Sequence, residues 1–466
     1  MLFSSLIFIY AFLPLVCILY FIPWPLKIKN LILSVSSIFF YAFGEPRFVL
    51  VMLLSILVNF FLGLLVDRAR GGRQARLWLI CAVVFNIGLL FVYKYLGFSS
   101  YLLSQWLPVP LIRIVLPIGI SFFTFQALSY VIDVYRGDAK VQKNPLDLAL
   151  FIAFFPQLIA GPIVRYHTID AAIRCRSHSL ADAAEGFERF LVGLFKKVLL
   201  ANNLALIADE AFAHTPQISM AMAWLGLLAY AMQIFFDFAG YSDMAIGLAR
   251  IFGFHLEENF NYPYISRSVS EFWRRWHISL GIWFRDYVYF PLGGSRDGLK
   301  RTIRNLLIVW VLTGIWHGAN TTFAVWGLYY FVLIALEKLT GWPKGLKTAF
   351  AKTVYQVFAI GMVLLGWVIF RADSLTHAAQ YFGALFRFDA VFGQRELALL
   401  DSYKLFLAAG LLFCTPVAAR INIRLQGTRL YPAQLILCTA AYLGLFVAVT
   451  AALVVGSHNP FIYFQF

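Results

Sequence analysis

The sequence predicts an all-α fold, a polytopic transmembrane helical bundle, and three observations carry that prediction. Of 466 residues, 61% are hydrophobic and only 13% charged, whereas a soluble domain carries about a quarter charged residues. Apolar runs of about 17 to 25 residues recur, residues 49–66 and 435–455 among them, and that length crosses about 30 Å of hydrocarbon. The runs are continuous and do not alternate, and backbone groups in lipid must be satisfied internally, so helices are favoured over a closed barrel.

The net charge of +15 does not point to nucleic acid, because the Lys and Arg residues sit in short loops between apolar runs. That distribution fits positive-inside topology and anionic headgroups. The five cysteines, Cys17, Cys81, Cys175, Cys414 and Cys438, are scattered without metal or disulfide spacing, so no metal site is expected. Residues 1–22 have neither a basic leading segment nor a small-residue cleavage site and read as a first span.

Taken in order, residues 1–22 lead to a small basic loop (Lys27, Lys29), the runs 31–43 and 48–66, and a second basic loop at 67–76. Two spans separate the basic loops, which places both in the cytoplasm and Glu45 outside. Residues 77–93 return outward, 99–110 read as interfacial, and 112–134 come back, with Pro117-Ile118-Gly119 predicting a kink or break. Residues 148–164 contain Pro156 and Gly161-Pro162 between basic flanks and read as re-entrant. Residues 183–208, amphipathic at the start (Glu185, Glu188, Arg189, Lys196, Lys197), should cross to an acidic outer loop (Asp209, Glu210, His214). The next span, 220–251, carries Asp237 and Asp243, each expected to face a polar cavity or a cation, with the arginines of residues 266–296 as partners.

That stretch, rich in Arg, Trp and Tyr, should lie on the cytoplasmic side as interfacial helices. Residues 305–336 are too long for one ordinary span and are interrupted at Gly314 and at Gly318-Ala319-Asn320, so they read as a hairpin with His317 near its tip. Residues 354–370 and 435–455 are further spans, and 405–419 is short for one and carries Pro416. The chain divides into N-terminal spans (1–135), a catalytic core (136–340) and C-terminal spans (341–466), with no internal repeat and no soluble domain.

Histidines in lipid surroundings are rare enough to be functional candidates. His317, flanked by Trp316 and Gly318, can in neutral form take a proton from a hydroxyl near pH 7; the competing reading is a hydrogen-bonded core histidine at a helix break. His277 lies in an Arg- and Trp-rich segment and can equally belong to that interface. Arg274 and Arg275, beside Trp276, suit phosphate recognition or simple anchoring. Asp237, Asp243, Glu271 and Asp286 can orient histidines or lock helices together.

Several blocks resemble the membrane-bound O-acyltransferases, in particular their bacterial, alginate-type branch: Leu116 through Gln126, Phe155 through Pro162, Phe236 through Asp243, Asn259 through Arg296, and Trp316-His317-Gly318-Ala319. The Phe272-Trp273-Arg274-Arg275-Trp276-His277 and Pro291-Leu292-Gly293-Gly294-Ser295 blocks carry the subgroup likeness. Thr321, where a Trp is expected, and Tyr330, where a His often stands, depart from it. The resemblance implies catalytic His317 and His277; beside them Arg274, Arg275, Trp276, Trp316, Asp237 and Asp243 are the residues expected to bind substrate. It implies roughly 11 spans with re-entrant and interfacial helices around a central tunnel. It also implies no permanently bound cofactor, acetyl-CoA as the donor from the cytoplasm, and a bacterial inner-membrane location. A periplasmic or membrane-anchored acetyltransferase partner within a polysaccharide biosynthesis and export complex would finish the transfer. The polymer is expected to be alginate, with cellulose or peptidoglycan next. Two other classes compete, a proton-coupled transporter, which predicts inverted repeats, and a structural subunit of an export complex.

Overall fold

Lipid leaves the backbone of an apolar run no partner but itself, and the chain responds with helices. The computed structural model describes residues 1–388, 393–456 and Ile462, and among these there are helices and turns but no strand. Eight helices are long and apolar enough to cross a membrane, or nine if the bent pair Gln394–Phe413 and Val417–Leu425 is one span. This is a multi-pass membrane protein. The expected count of roughly 11 is higher, and several elements fall outside those eight or nine: the apolar helix Phe8–Phe21 is shorter, Ile120–Arg136 has only 17 residues, and Leu299–His317 opens on Lys300, Arg301 and Arg304.

The chain forms two compact units, one of Met1–Phe190 with Tyr241–Glu258, the other of Leu191–Gly240 with Asn259–Phe466. In the first, Val49–Arg68 packs against Arg73–Leu90 and Ile120–Arg136. Asn59 and Asn86, both fully buried, exchange amide hydrogen bonds of 3.2 and 2.7 Å, each supplying the partner the other needs out of water. Residues 99–110, expected to be interfacial, are in part helical continuation: a π-turn at Phe91–Tyr95 carries Arg73–Leu90 into Leu96–Ser104, and no proline intervenes before Pro108. At Pro117-Ile118-Gly119 the expected span is broken, not kinked. Gly119 adopts φ +76°, and the helix begins only at Ile120, because a left-handed residue cannot continue a right-handed helix. Residues 148–164 do not form one helix either: Pro145–Ala153 and Phe155–Leu158 are separated at Phe154, and the segment is buried almost throughout.

In the second unit the expected hairpin is present. Leu299–His317 and Thr321–Thr340 are joined by three residues and touch through glycine: a Cβ on Gly314 would strike the Phe323 carbonyl oxygen, and one on Gly327 the Trp310 carbonyl oxygen. Small residues allow this close approach, and the van der Waals packing it gives matters because apolar helices in lipid have no hydrophobic force drawing them together. Pro416 ends the Gln394–Phe413 helix in a 63° bend, as expected from its missing N–H.

The intramembrane carboxylates find partners other than the expected ones. In the second unit Asp237 pairs with Lys197 at 2.6 Å, both side chains 4% exposed or less, and its other oxygen accepts from the backbone N–H of Ile462 at 2.8 Å. In the first unit Asp243 pairs with Arg189 at 2.6 Å, and Glu258 binds the same guanidinium. Neither carboxylate pairs with the arginines of residues 266–296, where Arg275 is held by Glu271, Arg285 by Asp286. Both cations come instead from the preceding amphipathic helical segment.

Breaking a buried pair leaves a desolvated charge behind. Lys197→Met should cost about 3–5 kcal/mol, whereas Lys197→Met with Asp237→Leu should recover most of the loss. Thermal unfolding of the detergent-purified variants measures both, and a double variant no more stable than the single one would contradict a charge-balancing role.

Candidate active site

His277 stands between two seven-residue helices, Val269–Arg275 and Ile278–Phe284, each too short to be stable alone. The first is fixed at its start from two sides. Ser268 caps it by accepting from the Glu271 N–H at 3.0 Å, and the Glu337 carboxylate accepts from the N–H groups of Val269 and Ser270 at 2.7 and 2.9 Å and from the Tyr355 hydroxyl at 2.8 Å. A carboxylate at a helix N-terminus also meets the positive end of its dipole. At the far end the chain must turn sharply, and His277 does so with φ +46°, a left-handed conformation uncommon for a residue with a Cβ and concentrated at functional positions. Backbone bonds from Asn261 N to Arg275 O (2.9 Å) and from Ile278 N to Asn259 O (3.0 Å) clamp the turn.

The imidazole is 3% exposed. Its Nδ1 lies 3.2 Å from Asn259 Oδ1, which also accepts from the Ser279 N–H (3.2 Å) and Oγ–H (2.9 Å). A backbone donor on that atom identifies it as the amide oxygen, so Nδ1 donates and the neutral ring carries its lone pair on Nε2. Burial pushes the imidazole pKa down to about 3, and the ring is neutral at pH 7.

His317 closes the first arm of the hairpin and is 5% exposed. Gly318 follows it because a Cβ there would collide with the Phe323 ring, and Asn320 then caps the second arm by accepting from the Thr322 N–H at 3.2 Å. Trp316 lies between the two histidines, its ring 6.0 Å from His277 and 5.1 Å from His317. Trp326 and Phe370 pack edge-on against His317 at 5.0 and 5.2 Å, and Phe238 against His277 at 4.6 Å.

Of the residues expected to form the site, one unit thus gathers His277, Trp316 and His317. Trp276 is buried nearby in an aromatic cluster, 4.8 Å from Trp367 and stacked on Phe272 at 5.5 Å. Arg274 is exposed, and Arg275 is engaged by Glu271 at 2.9 Å and by the Asn261 carbonyl at 3.1 Å. Asp237 belongs to the same unit and is committed to Lys197, while Asp243 belongs to the other. The carboxylates expected to orient a histidine give way to a neutral amide, Asn259, which the sequence reading did not single out. Glu337 was also missed; an acid closing an apolar run was the available signal. Tyr330, the departure from the resembled pattern, is fully buried and donates to the Val363 carbonyl at 3.1 Å.

A neutral imidazole whose tautomer is set by a hydrogen bond at Nδ1 is suited to proton transfer, and a second buried histidine packs against the same indole, Trp316. The model of the membrane-bound O-acyltransferase family matches residues 36–377. The chain belongs to this family. As a membrane-bound O-acyltransferase it is an enzyme, and the transporter and export-subunit readings fall away. It is 39% identical to the Pseudomonas putida protein named "Probable alginate O-acetylase AlgI", over the full length of both chains. Its identity to the "Probable alginate O-acetylase AlgI" of Azotobacter vinelandii is 42%, over 93% of this chain and 86% of the relative. With the "Peptidoglycan O-acetyltransferase" of Helicobacter pylori it shares 35% identity, over 81% and 78%.

Because the folded state holds His277 neutral while an unfolded chain protonates it near pH 6.5, this residue favours the folded state fully above about pH 6.5 and progressively less as pH falls below it. His277→Asn, which tolerates the left-handed turn, should therefore narrow its gap in unfolding temperature from the wild type as pH goes from about 8 to 5. A gap independent of pH would show that the ring is not held neutral.

Proposed function

We propose that this acyltransferase moves acetyl groups from acetyl-CoA, bound from the cytoplasm, across the bacterial inner membrane for O-acetylation of an exported polysaccharide, alginate in the first instance. Support comes from the similarity, over the whole chain, to proteins named alginate O-acetylase; the peptidoglycan O-acetyltransferase similarity makes a different glycan the alternative. A periplasmic or membrane-anchored partner completes transfer onto the polymer.

The observation that carries the catalytic assignment is the pair of buried histidines joined through Trp316 in a water-poor aromatic enclosure. His317 acts as general base. It takes the proton of the acceptor hydroxyl as the oxygen attacks the thioester carbonyl carbon; the carbon–sulfur bond then breaks, the sulfur leaves with that proton, and an ester remains. The indole N–H of Trp326, buried beside His317 and without a hydrogen-bond partner among the described residues, is a donor for the carbonyl oxygen as it gains charge. His277, oriented by Asn259, holds the acceptor or relays its proton. Exclusion of water protects the thioester from hydrolysis.

His317→Ala should lower transfer by about 10²–10⁴-fold while the protein still inserts and purifies as a folded species, and the polymer made in cells should lack acetyl groups. Full acetylation by that variant would remove His317 from the mechanism. Asn259→Ala should lower the rate about 10- to 100-fold through a misplaced ring, and Ser279→Ala, which deletes another donor to the same oxygen, should leave it nearly unchanged; equal effects would assign Asn259 to packing. Radiolabelled acetyl-CoA supplied to the purified enzyme tests the donor, and strict dependence on an acyl carrier protein would replace it.

A further inference from the structure

Away from the histidines, within the first unit, a cavity of about 470 Å³ is lined by Asp67, Arg70, Lys140, Val141, Gln142, Lys143 and Arg174. Four cations converge there on one carboxylate. The two arginines are already positioned: Arg70 donates to Asp67 at 2.8 Å, and Arg174 donates to both carboxylate oxygens of Asp170 at 2.6 and 2.9 Å. Lys140 and Lys143 are exposed and pair with no carboxylate among the described residues. They sit on a loop and not on a helix end, so neutralising a helix dipole does not account for them.

The loop that presents the lysines is built rigidly. It leaves the helix Ile120–Arg136 through Gly137 at φ +81° and is fastened by Gln142, which is 7% exposed. The Gln142 side-chain oxygen accepts from the N–H groups of Lys143 and Asn144 at 3.1 and 3.4 Å, and its own backbone N–H donates to the Tyr130 hydroxyl at 3.3 Å. Asp67 and Asp170 offset the two arginines, which leaves the like charges of Lys140 and Lys143 at one cleft, and a fixed frame keeps their repulsion in place. The cleft also lies where a span ends, since Asp67 and Arg70 fall at and just past the end of Val49–Arg68, the most apolar of the candidate spans. Arg68, Arg73 and Arg76 extend the basic character at the same end.

We propose that this cleft binds a phosphate-bearing anion, with the headgroup of an anionic phospholipid as the source that its position at the end of a span favours. Arg70 and Arg174 supply planar donors to phosphate oxygens, and Lys140 and Lys143 supply the point charges that close over them. A soluble phosphate compound is the other source of the same chemistry.

The test uses the purified full-length chain in a neutral detergent at low salt, with unfolding temperature as readout. Phosphatidylglycerol, phosphatidylcholine and inorganic pyrophosphate are titrated separately into the wild type and into K140Q/K143Q. Phosphatidylglycerol should stabilise the wild type and phosphatidylcholine should not; apparent affinity should fall about fivefold for each lysine removed, the equivalent of about 1 kcal/mol per charge, and fade with added salt. K140R/K143R, which keeps the charge, should retain the response and guards against a double variant that is merely misfolded. A response to pyrophosphate alone, lost in K140Q/K143Q, upholds the phosphate site and assigns it to a soluble ligand. No response in the wild type, or an equal response in wild type and K140Q/K143Q, overturns the proposal.

Discussion

A polar group removed from water must find its partner inside the fold, and most of what is specific in this protein follows from that constraint. In the second unit Lys197 and Asp237 meet with both side chains almost fully buried. In the first, Arg189 answers both Asp243 and Glu258, and Asn59 and Asn86 answer each other. Such pairs add little net stability over apolar substitutes, but they penalise any other rotation of the helices that carry them. Glu337 applies the same rule to backbone: by accepting from Val269 and Ser270 it makes a seven-residue helix possible where propensity alone would leave a coil, and His277 follows two residues after that helix ends.

Apolar packing then does the rest of the positioning. Trp273, Trp310, Trp326, Trp367 and Tyr330 interlock at centroid distances between 4.7 and 6.5 Å, mostly edge to face, the arrangement that aromatic quadrupoles prefer. Side chains of this size have few rotamers that fit such a cluster, so the hairpin end that bears His317 is held on one flank by rings. A low-polarity enclosure also strengthens a hydrogen bond, which gives the contact from Asn259 to His277 more authority over the ring than it would have in water.

What the sequence made legible, and what it hid, divides along physical lines. Composition and run length sufficed for an all-helical membrane protein because lipid admits so few backbone solutions. The hairpin was readable because Gly314, Gly318 and Asn320 interrupt a run that is too long for one crossing, and the break at Gly119 because proline and glycine act locally. Helix pairing is different. Which cation reaches Asp237 depends on how two helices are rotated against each other, and a dense run of arginines nearby in sequence was a misleading guide, since the partner came from an amphipathic segment upstream. Within residues 99–110 the helical part was not legible, because a π-turn lets a helix persist across an irregular pattern. Asn259 gave no signal of its own, being one amide without periodicity; only its two hydrogen-bonding neighbours, known after folding, give it a role.

The left-handed turn at His277 has a consequence for how this family member can change over generations. A residue there must satisfy two unrelated demands, a backbone angle that most side chains resist at about 1–2 kcal/mol and whatever the ring contributes. Glycine and asparagine meet the first demand cheaply, so drift at this position should run through them and avoid alanine or any branched residue. A lineage that had lost acyl transfer but kept the fold would therefore carry a recognisable scar, a small or amide side chain between two short helices that still turn the same corner.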